Sequence, residues 1–296
     1  MSFSEKSHRI SVVMGIYNCA STLSDSIDSL LSQTYSDWEL VMCDDASTDD
    51  TYEIAKEYAA RFENIKVLRN AKNIGLAATL NKCIEHTCTE AEFIARQDGD
   101  DISEPTRFAV QVNFLDNHPE YVLVSTAMTC FDEFGSWGVQ CKKEKPEIGD
   151  FAYTSPFCHA PVMMRKKELE IVGKYTESKY LRRGQDFYLW HKFYREGYKG
   201  YNIQTAYYRM RDDRAATCRR KFKDRLYGAR VHVEMMRNLK IPFWKYPLAL
   251  KGILVGLIPL KIYERLHRKS VISSNIRYNK KQMKAPHNCE HNNTHF

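Results

Sequence analysis

Three aspartates within four residues form the strongest chemical feature of this 296-residue chain. Asp98, Asp100 and Asp101 stand directly after the segment FIARQ, which begins at Phe93. Like charges this close raise one another's pKa, so the cluster is costly unless water or a cation compensates it. Mg2+ and Mn2+ prefer oxygen ligands and bind through one or two carboxylates together with phosphate and water. Asp98 and Asp100 therefore suggest a metal–diphosphate site, and a solvated acidic turn is the alternative.

Four strand–helix units lead up to this cluster. The strands are predicted at Ile10–Ile16, Trp38–Cys43, Ile65–Leu68 and Phe93–Arg96, each an apolar run of four to seven residues. Helices with a 3.6-residue apolar period lie between them. This alternation with short connections predicts an α/β fold with a mostly parallel central sheet. Ligands of such sheets bind at the carboxyl ends of the strands, where Tyr17, Asp44, Asp45 and the aspartate cluster lie.

The pattern continues after Pro105 to about residue 210. The predicted elements are a helix around Phe108, a strand at Val122–Met128, a polar hairpin or mobile loop at Asp132–Asp150, a strand at Pro161–Met164, helices at Arg165–Val172 and Asp186–Arg195, and a strand at Ile203–Arg209. We therefore predict one α/β domain over residues 1–210.

Charge and cysteine usage restrict the cellular setting. The net charge is +7, but residues 209–285 hold 21 Lys and Arg against 5 Asp and Glu, which favours an anionic surface as partner. The nine cysteines are an odd number without a C-x-x-C pair, which argues for a reducing compartment and against a disulfide framework or zinc site. Residues 1–9 lack the apolar core of a signal peptide, so we expect a cytoplasmic protein.

The C-terminal part differs in kind from the rest. From Arg219 onward a basic helix is predicted with one apolar stripe, and Pro242 ends it. The uncharged run Gly252–Leu260 has nine residues, whereas a bilayer span needs about 20, so no transmembrane helix is predicted. We expect residues 211–284 to form amphipathic helices that touch a membrane surface through residues 219–269. A C-terminal helix packed on the core is the alternative, and residues 285–296 are expected to be disordered.

Five stretches in this order make the chain resemble the family 2 inverting glycosyltransferases, which have the GT-A fold. They are SVVMGIYNCASTLSDSIDSLLSQTYSDWELVMCDDASTDDT (11–51), NIGLAATLN (73–81), ARQDGDDISEPTRF (95–108), HAPVMMR (159–165) and GQDFYLW (184–190). The resemblance covers roughly residues 9–210. It implies transfer of a sugar from a nucleotide-diphospho-sugar, usually with uracil as the base, to a hydroxyl group.

The resemblance also implies roles for residues around the nucleotide. Asp44 or Asp45 would hold the base, and we expect the other of the two to cap the following helix. Tyr17 would pack against the nucleotide, or it belongs to the core. Asp98 would bind the ribose or support the Mg2+ or Mn2+ ion that Asp100 ligates, and Arg96 would pair with these acids or with phosphate.

Asp186 would act as the catalytic base in a single displacement with inversion. The family usually has Glu-Asp here, and Gln185 departs from that pattern, which puts the acceptor geometry in doubt. Asp101 is expected to be structural, and His159 either lines the cleft or is a buried histidine. Arg211 stands where many relatives have a histidine near the diphosphate; it either clamps phosphate or belongs to a solvated basic face.

The expected function is metal-dependent sugar transfer from a UDP-sugar to a lipid-linked glycan acceptor for a surface polysaccharide, on the inner face of the cell membrane. A non-catalytic module that binds nucleotide-sugars or a membrane surface is the alternative. Nucleic-acid binding is disfavoured because residues 211–225 offer a single aromatic for stacking. A dehydrogenase is disfavoured because no G-x-G-x-x-G follows a strand.

Overall fold

The computed structural model describes residues 8–181, 183–212, 222–256, 258, 262, 266 and 269. The strands are β1 Ile10–Ile16, β2 Trp38–Asp44, β3 Ile65–Arg69, β4 Phe93–Arg96, β5 Ile102–Ser103, β6 Tyr121–Asp132, β7 Gly135–Gln140, β8 Met163–Arg165 and β9 Lys199–Arg211. The α-helices are α1 Ala20–Leu31, α2 Thr51–Arg61, α3 Leu76–Glu85, α4 Arg107–Asn117, α5 Lys166–Ile171, α6 Gln185–Arg195, α7 Phe222–Asn238 and α8 Lys251–Gly256. Two 3-10 helices cover Ile148–Ala152 and Phe243–Leu250.

The nine strands form one sheet in the order β3-β2-β1-β4-β8-β6-β9-β5, and β7 pairs with β6. Strands β1 to β4 are parallel to one another, as are β6 and β9, whereas β8 is antiparallel to both of its neighbours. The predicted α/β fold with a mostly parallel sheet is confirmed. The segment Asp132–Asp150 contains the hairpin between β6 and β7, followed by a 3-10 helix.

Alternate residues of the central strands supply two hydrophobic cores, one on each face of the sheet. Val12 and Met14 of β1 belong to the core that also holds α1, α2 and α4. Val13 belongs to the core that holds α3 and α6. Because side chains along a strand alternate between the faces, helices cover both sides and the carboxyl ends of the strands are left as the open edge.

Helix α7 and the 3-10 helix Phe243–Leu250 each have one buried side and one exposed side, whereas α8 has no buried residue. Met236 of α7, Leu239, Ile241 and Ala249 belong to the same core as α6. The large side chains that remain exposed include, with their exposed fractions, Phe243 (74%), Trp244 (68%), Leu254 (63%) and Leu250 (49%). No helix among the described residues combines the length and apolar character needed to cross a bilayer. The tail predicted at 285–296 and most of 257–284 lie outside the described residues.

Candidate active site

The turn Asp98–Asp101 follows β4 and is fastened to helix α1. Ser26 Oγ donates to the carbonyl of Asp98 (2.8 Å), and Thr22 Oγ1 donates to the carbonyl of Gly99 (3.0 Å). Gly99 has no space for a side chain, since a Cβ would lie 2.9 Å from Sγ of Cys19. The backbone of the turn is therefore pressed against the end of β1 and the residues that follow it.

Arg96 lies beneath the turn and carries a fully buried guanidinium group. Its Nη2 is 2.7 Å from Oδ1 of Asp98, whose side chain is 31% exposed. The sequence left open whether Arg96 pairs with an acid or with phosphate, and here it pairs with Asp98. Asp100 is exposed, so the two candidate metal ligands are held differently. The ion pair orients Asp98, while Asp100 presents its carboxylate to solvent at the edge of the sheet.

Asp101 has a different environment from its neighbours. Its Oδ1 accepts the backbone N–H of Arg211 at 2.7 Å, and its side chain is buried. Burial, together with the charges of Asp98 and Asp100, raises the pKa of Asp101 well above its ordinary value. Arg211 also donates from Nε to the carbonyl of Asp100 (3.2 Å). The carboxyl end of β9 is thereby tied to the turn.

Arg107 organises the base of the turn, and sequence reasoning missed it. Its guanidinium is fully buried and donates to Oε1 of Gln97 (3.1 Å), Oγ of Ser103 (2.7 Å) and the carbonyl of Arg96 (2.6 Å). Burial lowers the pKa of Arg107 to about 10. Gln97 in turn donates to the carbonyl of Asp101 (2.9 Å). In the sequence, Arg107 is an arginine beside the apolar stripe of a helix, and an arginine in that position is most often exposed.

The carboxyl ends of β1 and β2 bring Tyr17, Asp44 and Asp45 together. Ile16 is in register with Asp44, and Tyr17 is 49% exposed. Strand β1 lies between β2 and β4, so these residues stand beside the aspartate turn. This adjacency is what the parallel order predicted.

Both acids of the pair are buried and hydrogen-bonded. Asp44 accepts the N–H of Ser47 (3.2 Å) and lies 3.1 Å from Nε of Arg69. Asp45 accepts from the backbone N–H groups of Ile74 (2.8 Å) and Gly75 (2.9 Å). The expectation that one acid caps the following helix was wrong, because α2 begins after Asp50 with no side-chain cap, and Asp45 instead accepts the N–H groups just before α3, one strand–helix unit further along the chain.

Asp186 lies in the first turn of α6 and is partly buried. Burial raises its pKa above the ordinary value, while backbone N–H groups and the charges of Lys142 and Arg96 act in the opposite direction. Along the same helix, the ring of Trp190 lies 6.0 Å from the ring of His159, which stands just before β8. Because β8 runs antiparallel to β4, its start lies beside the carboxyl end of β4, so α6 lies close to the strand end that leads into the aspartate turn. A carboxylate with a raised pKa is better matched to proton abstraction than an ordinary one.

His159 and Tyr175 also belong to the region between the aspartate turn and α6. Nε2 of His159 lies 2.8 Å from the hydroxyl of Tyr175. Burial, together with the charge of Arg96, lowers the pKa of His159 well below its ordinary value, so the ring is neutral at neutral pH. Tyr175 was not among the predicted residues, since a lone tyrosine after a glycine carries no sequence signal.

The acidic turn fits a divalent cation in one respect. The described residues contain no group of three or more His, Cys, Asp or Glu side chains gathered around one point. An ion that takes one or two carboxylates and completes its shell with phosphate oxygens and water does not need such a group. Asp100, exposed beside the ion-paired Asp98, offers that smaller set of hard oxygen ligands.

Comparison with known proteins agrees with this arrangement. Residues 11–173 match the family model described as glycosyl transferase family 2. The chain belongs to glycosyl transferase family 2. It is 43% identical over 266 residues to EpsE of Bacillus subtilis, which is named as a glycosyltransferase, and the match covers 90% of this chain and 95% of EpsE. The predicted family and the enzyme class, a glycosyltransferase, are thereby confirmed.

More distant relatives share the activity class or the fold. WfaP of Escherichia coli, named as a UDP-Glc:alpha-D-GlcNAc-diphosphoundecaprenol beta-1,3-glucosyltransferase, is 28% identical over 68% of this chain and 77% of its own length. The structure of S. aureus TarS 1–349 with UDP has a TM-score of 0.62 at 21% identity and covers 83% of this chain and 70% of TarS. A mannosyltransferase of Pyrobaculum calidifontis, with GDP-Man and Mn2+, has a TM-score of 0.56 at 18% identity, over 94% and 84%. The fold is GT-A.

Proposed function

We propose that this glycosyltransferase transfers a sugar with inversion from a UDP-sugar to a hydroxyl of a lipid-linked glycan during surface-polysaccharide synthesis. Residues 1–210 would form the catalytic domain. The observation that supports the proposal is that α6, which carries Asp186, packs through Trp190 on His159, just before the strand β8 that pairs with β4. The acidic turn that follows β4 and the candidate base would therefore border one cleft, as a single displacement requires.

The base of the nucleotide would lie against Tyr17, with Asp44 or Asp45 accepting its ring N–H. Asp98 would accept hydrogen bonds from the ribose, and Asp100 with Asp98 would hold Mg2+ or Mn2+. When bound, such an ion supplies positive charge to the departing diphosphate. Arg211, which bonds to the turn through its main-chain N–H and its Nε, would contact phosphate oxygens through the rest of its guanidinium group.

Asp186 would take the proton of the acceptor hydroxyl as that oxygen attacks the anomeric carbon. The bond to the nucleoside diphosphate breaks in the same step, so the anomeric configuration inverts. Base catalysis of this kind contributes roughly 10²–10⁴-fold. His159 and Tyr175 would line the cleft. Because His159 is neutral, it would not add a positive charge beside the base.

The choice of donor and acceptor follows from the relatives. WfaP is named for UDP-Glc and for an acceptor linked to diphosphoundecaprenol. TarS has been crystallised with UDP and with UDP-GlcNAc. These names support a UDP-hexose or UDP-N-acetylhexosamine donor and a lipid diphosphate acceptor for this chain.

The proposal can be tested with a panel of UDP-sugars and GDP-mannose. Each donor is incubated with the protein, Mg2+ or Mn2+ and a bacterial lipid extract, and the release of nucleoside diphosphate is measured. Asp186→Asn should lower turnover of the accepted donor by about 10²–10⁴-fold. UDP affinity should stay within about twofold of wild type, because Asp186 is placed at the acceptor side. If none of the donors on the panel releases nucleoside diphosphate, the non-catalytic binding module is favoured instead.

We further propose that residues 219–269 contact the cytoplasmic face of the membrane. The exposed Phe243 and Trp244 lie on the 3-10 helix whose Ala249 packs in the core, and the exposed Leu254 lies on the following helix α8. The exposed basic residues Arg237 and Lys240 precede them in the sequence, and Lys251 lies between Trp244 and Leu254. Apolar side chains rimmed by Lys and Arg are typical of segments that lie in the interface of an anionic bilayer.

Co-sedimentation with phosphatidylglycerol vesicles tests this contact. The double variant Phe243→Ser/Trp244→Ser should bind vesicles at least about tenfold more weakly, because each ring contributes about 1.5–3 kcal/mol when it leaves water. Phe134→Ser is the matched control, since Phe134 is 87% exposed at the tip of the β6–β7 hairpin. Equal binding by the double variant and wild type would contradict the proposal. Deleting the segment is less informative, because Ala249 belongs to the core.

A further inference from the structure

Helix α7 touches the chain on both sides of Asp186. Before α6, the ring of Tyr180 meets the ring of Tyr227 edge to face, with 4.8 Å between centroids. Directly after Asp186, Phe187 meets His232 edge to face at 5.1 Å. Tyr227 and His232 both belong to α7. One helix therefore brackets the candidate base within an eight-residue stretch.

The contact through His232 is part of a larger aromatic arrangement. Nε2 of His232 lies 2.6 Å from the carbonyl oxygen of Phe151, so the imidazole donates a hydrogen bond there. Phe151 is fully buried and stacks on Phe187 at 5.7 Å and 18°. Phe151 also contacts Tyr194, near the other end of α6. Phe187 is thus held between α7 and the 3-10 helix that contains Phe151.

The amino end of α6 has little support of its own. Its N-cap is Gly184, in the left-handed region at φ 105°, and no side chain caps the helix. A Cβ at Gly184 would meet no atom within 4 Å. Side-chain caps ordinarily stabilise a helix start by about 0.5–2 kcal/mol. The first turn of α6 is held against the body by the packing of Phe187 and of the residues that precede the helix, and α7 contacts both.

Position matters more for a base than for most side chains. A displacement of about 1 Å from a productive geometry can lower a rate by about 10²-fold without loss of binding. Asp186 has its neighbour Phe187 fixed by His232, whereas the donor residues Asp45 and Asp98 are fixed by β1, β4, α1 and α3. The two halves of the site therefore have separate supports.

We propose that Tyr227 and His232 of α7 are positioning residues for Asp186. The proposal rests on the proposed role of Asp186 as catalytic base. It assigns to the C-terminal helix a part in turnover that is separate from any contact with a membrane. It also explains in physical terms why this helix packs on α6 through aromatic rings next to the base.

Kinetics of single variants in the full-length chain test this role, using the donor that wild type turns over in the panel above. Tyr227→Ala and His232→Ala should each lower kcat about 10- to 100-fold and leave the KM of the donor within twofold. Tyr227→Phe keeps the ring and should retain wild-type kcat. His86→Ala is the control, since His86 is exposed at the end of α3 and bonds within that helix.

Hydrogen exchange supplies a second readout that needs no substrate. Peptides covering residues 184–190 should exchange faster in the two alanine variants and at the wild-type rate in Tyr227→Phe. If the alanine variants keep wild-type kcat and wild-type exchange, the positioning role is refuted, whereas an inactive wild type would refute the proposed function instead. Loss of kcat in Tyr227→Phe equal to that in Tyr227→Ala would also refute the ring contact as the cause.

Discussion

Replacing Gly99 by alanine tests the tight contact between the aspartate turn and the end of β1. A Cβ at this position would lie 2.9 Å from Sγ of Cys19 and 3.2 Å from Cγ2 of Ile16. The turn cannot simply move outward, because Thr22 and Ser26 hold the carbonyls of Gly99 and Asp98. Overpacking of this kind costs about 1–3 kcal/mol. That is a loss of about 5-fold to about 150-fold in the folding equilibrium constant.

The same change should weaken nucleotide binding, because the strain displaces Asp98 and Asp100 on either side of residue 99. We expect urea unfolding at 25 °C to give the stability loss above, and calorimetric titration with UDP and Mn2+ to give an affinity at least about tenfold lower. A tenfold change in affinity corresponds to about 1.4 kcal/mol. Both measurements are needed, since general destabilisation alone would leave the affinity of the folded fraction unchanged.

Two further variants make the reasoning specific. Gly228→Ala adds the same methyl group to α7, where a Cβ meets nothing within 4 Å, and should stabilise the protein by about 0.5–1 kcal/mol. Cys19→Ala removes the nearest atom, so its combination with Gly99→Ala should show a favourable coupling of about 0.5 kcal/mol or more. If Gly99→Ala alone matches wild type in stability and UDP affinity, the close contact at the turn is not what positions the aspartates.

Three other changes follow from the charges at the site. As the proposed base, Asp186 would be active when ionised, so activity should be present above its pKa and be lost as the pH falls through it. Because that pKa is raised, the loss should begin above the ordinary value of about 3.9. Lys142→Met should move this acid limb of kcat/KM to higher pH, and Lys145→Met should leave it in place. Arg107→Leu removes the donor to three buried acceptors and should lower the unfolding free energy by about 3 kcal/mol or more in urea titrations, so wild-type stability would contradict the network. The pKa of Asp101 is raised in the folded protein, so protonated Asp101 stabilises the fold, and this stabilisation is lost as the pH rises through that pKa. The variant Asp101→Asn keeps an acceptor for the N–H of Arg211 and does not ionise. Its thermal stability should therefore decline less than that of wild type between pH 5 and pH 8.

The parallel half of the fold follows from local patterns. Runs such as ISVVMGI are short and apolar, and the intervening helices show a clear 3.6-residue period, so the order of elements determines which loops meet at the open edge. Tyr17, Asp44 and Asp98 were placed at that edge for this reason. The hairpin after β6 was one of two predicted alternatives, and the late strand β9 was also predicted, although β9 is longer than the sequence suggested.

What the sequence could not supply are contacts between distant segments. The carboxylate of Asp45 is bonded to N–H groups about thirty positions later, and no local rule distinguishes that arrangement from a helix cap. Arg107 has the composition of an exposed helix start, and its burial depends on Gln97 and Ser103 meeting it inside the fold. The stripe on α7 predicted a face to be covered, but periodicity alone does not say whether lipid or protein covers it.

The bond between Asp101 and Arg211 also concerns the order in which the chain is made. These residues are 110 positions apart, yet the backbone N–H of Arg211 closes the turn on which the donor residues lie. A ribosome adds residues from the amino end, so β1 to β4 can pair well before β9 has been synthesised. Contacts of such long separation form slowly. We therefore expect a growing chain to reach its nucleotide-binding form only after β9 has emerged, so that UDP protection of a nascent chain would report the arrival of its last strand.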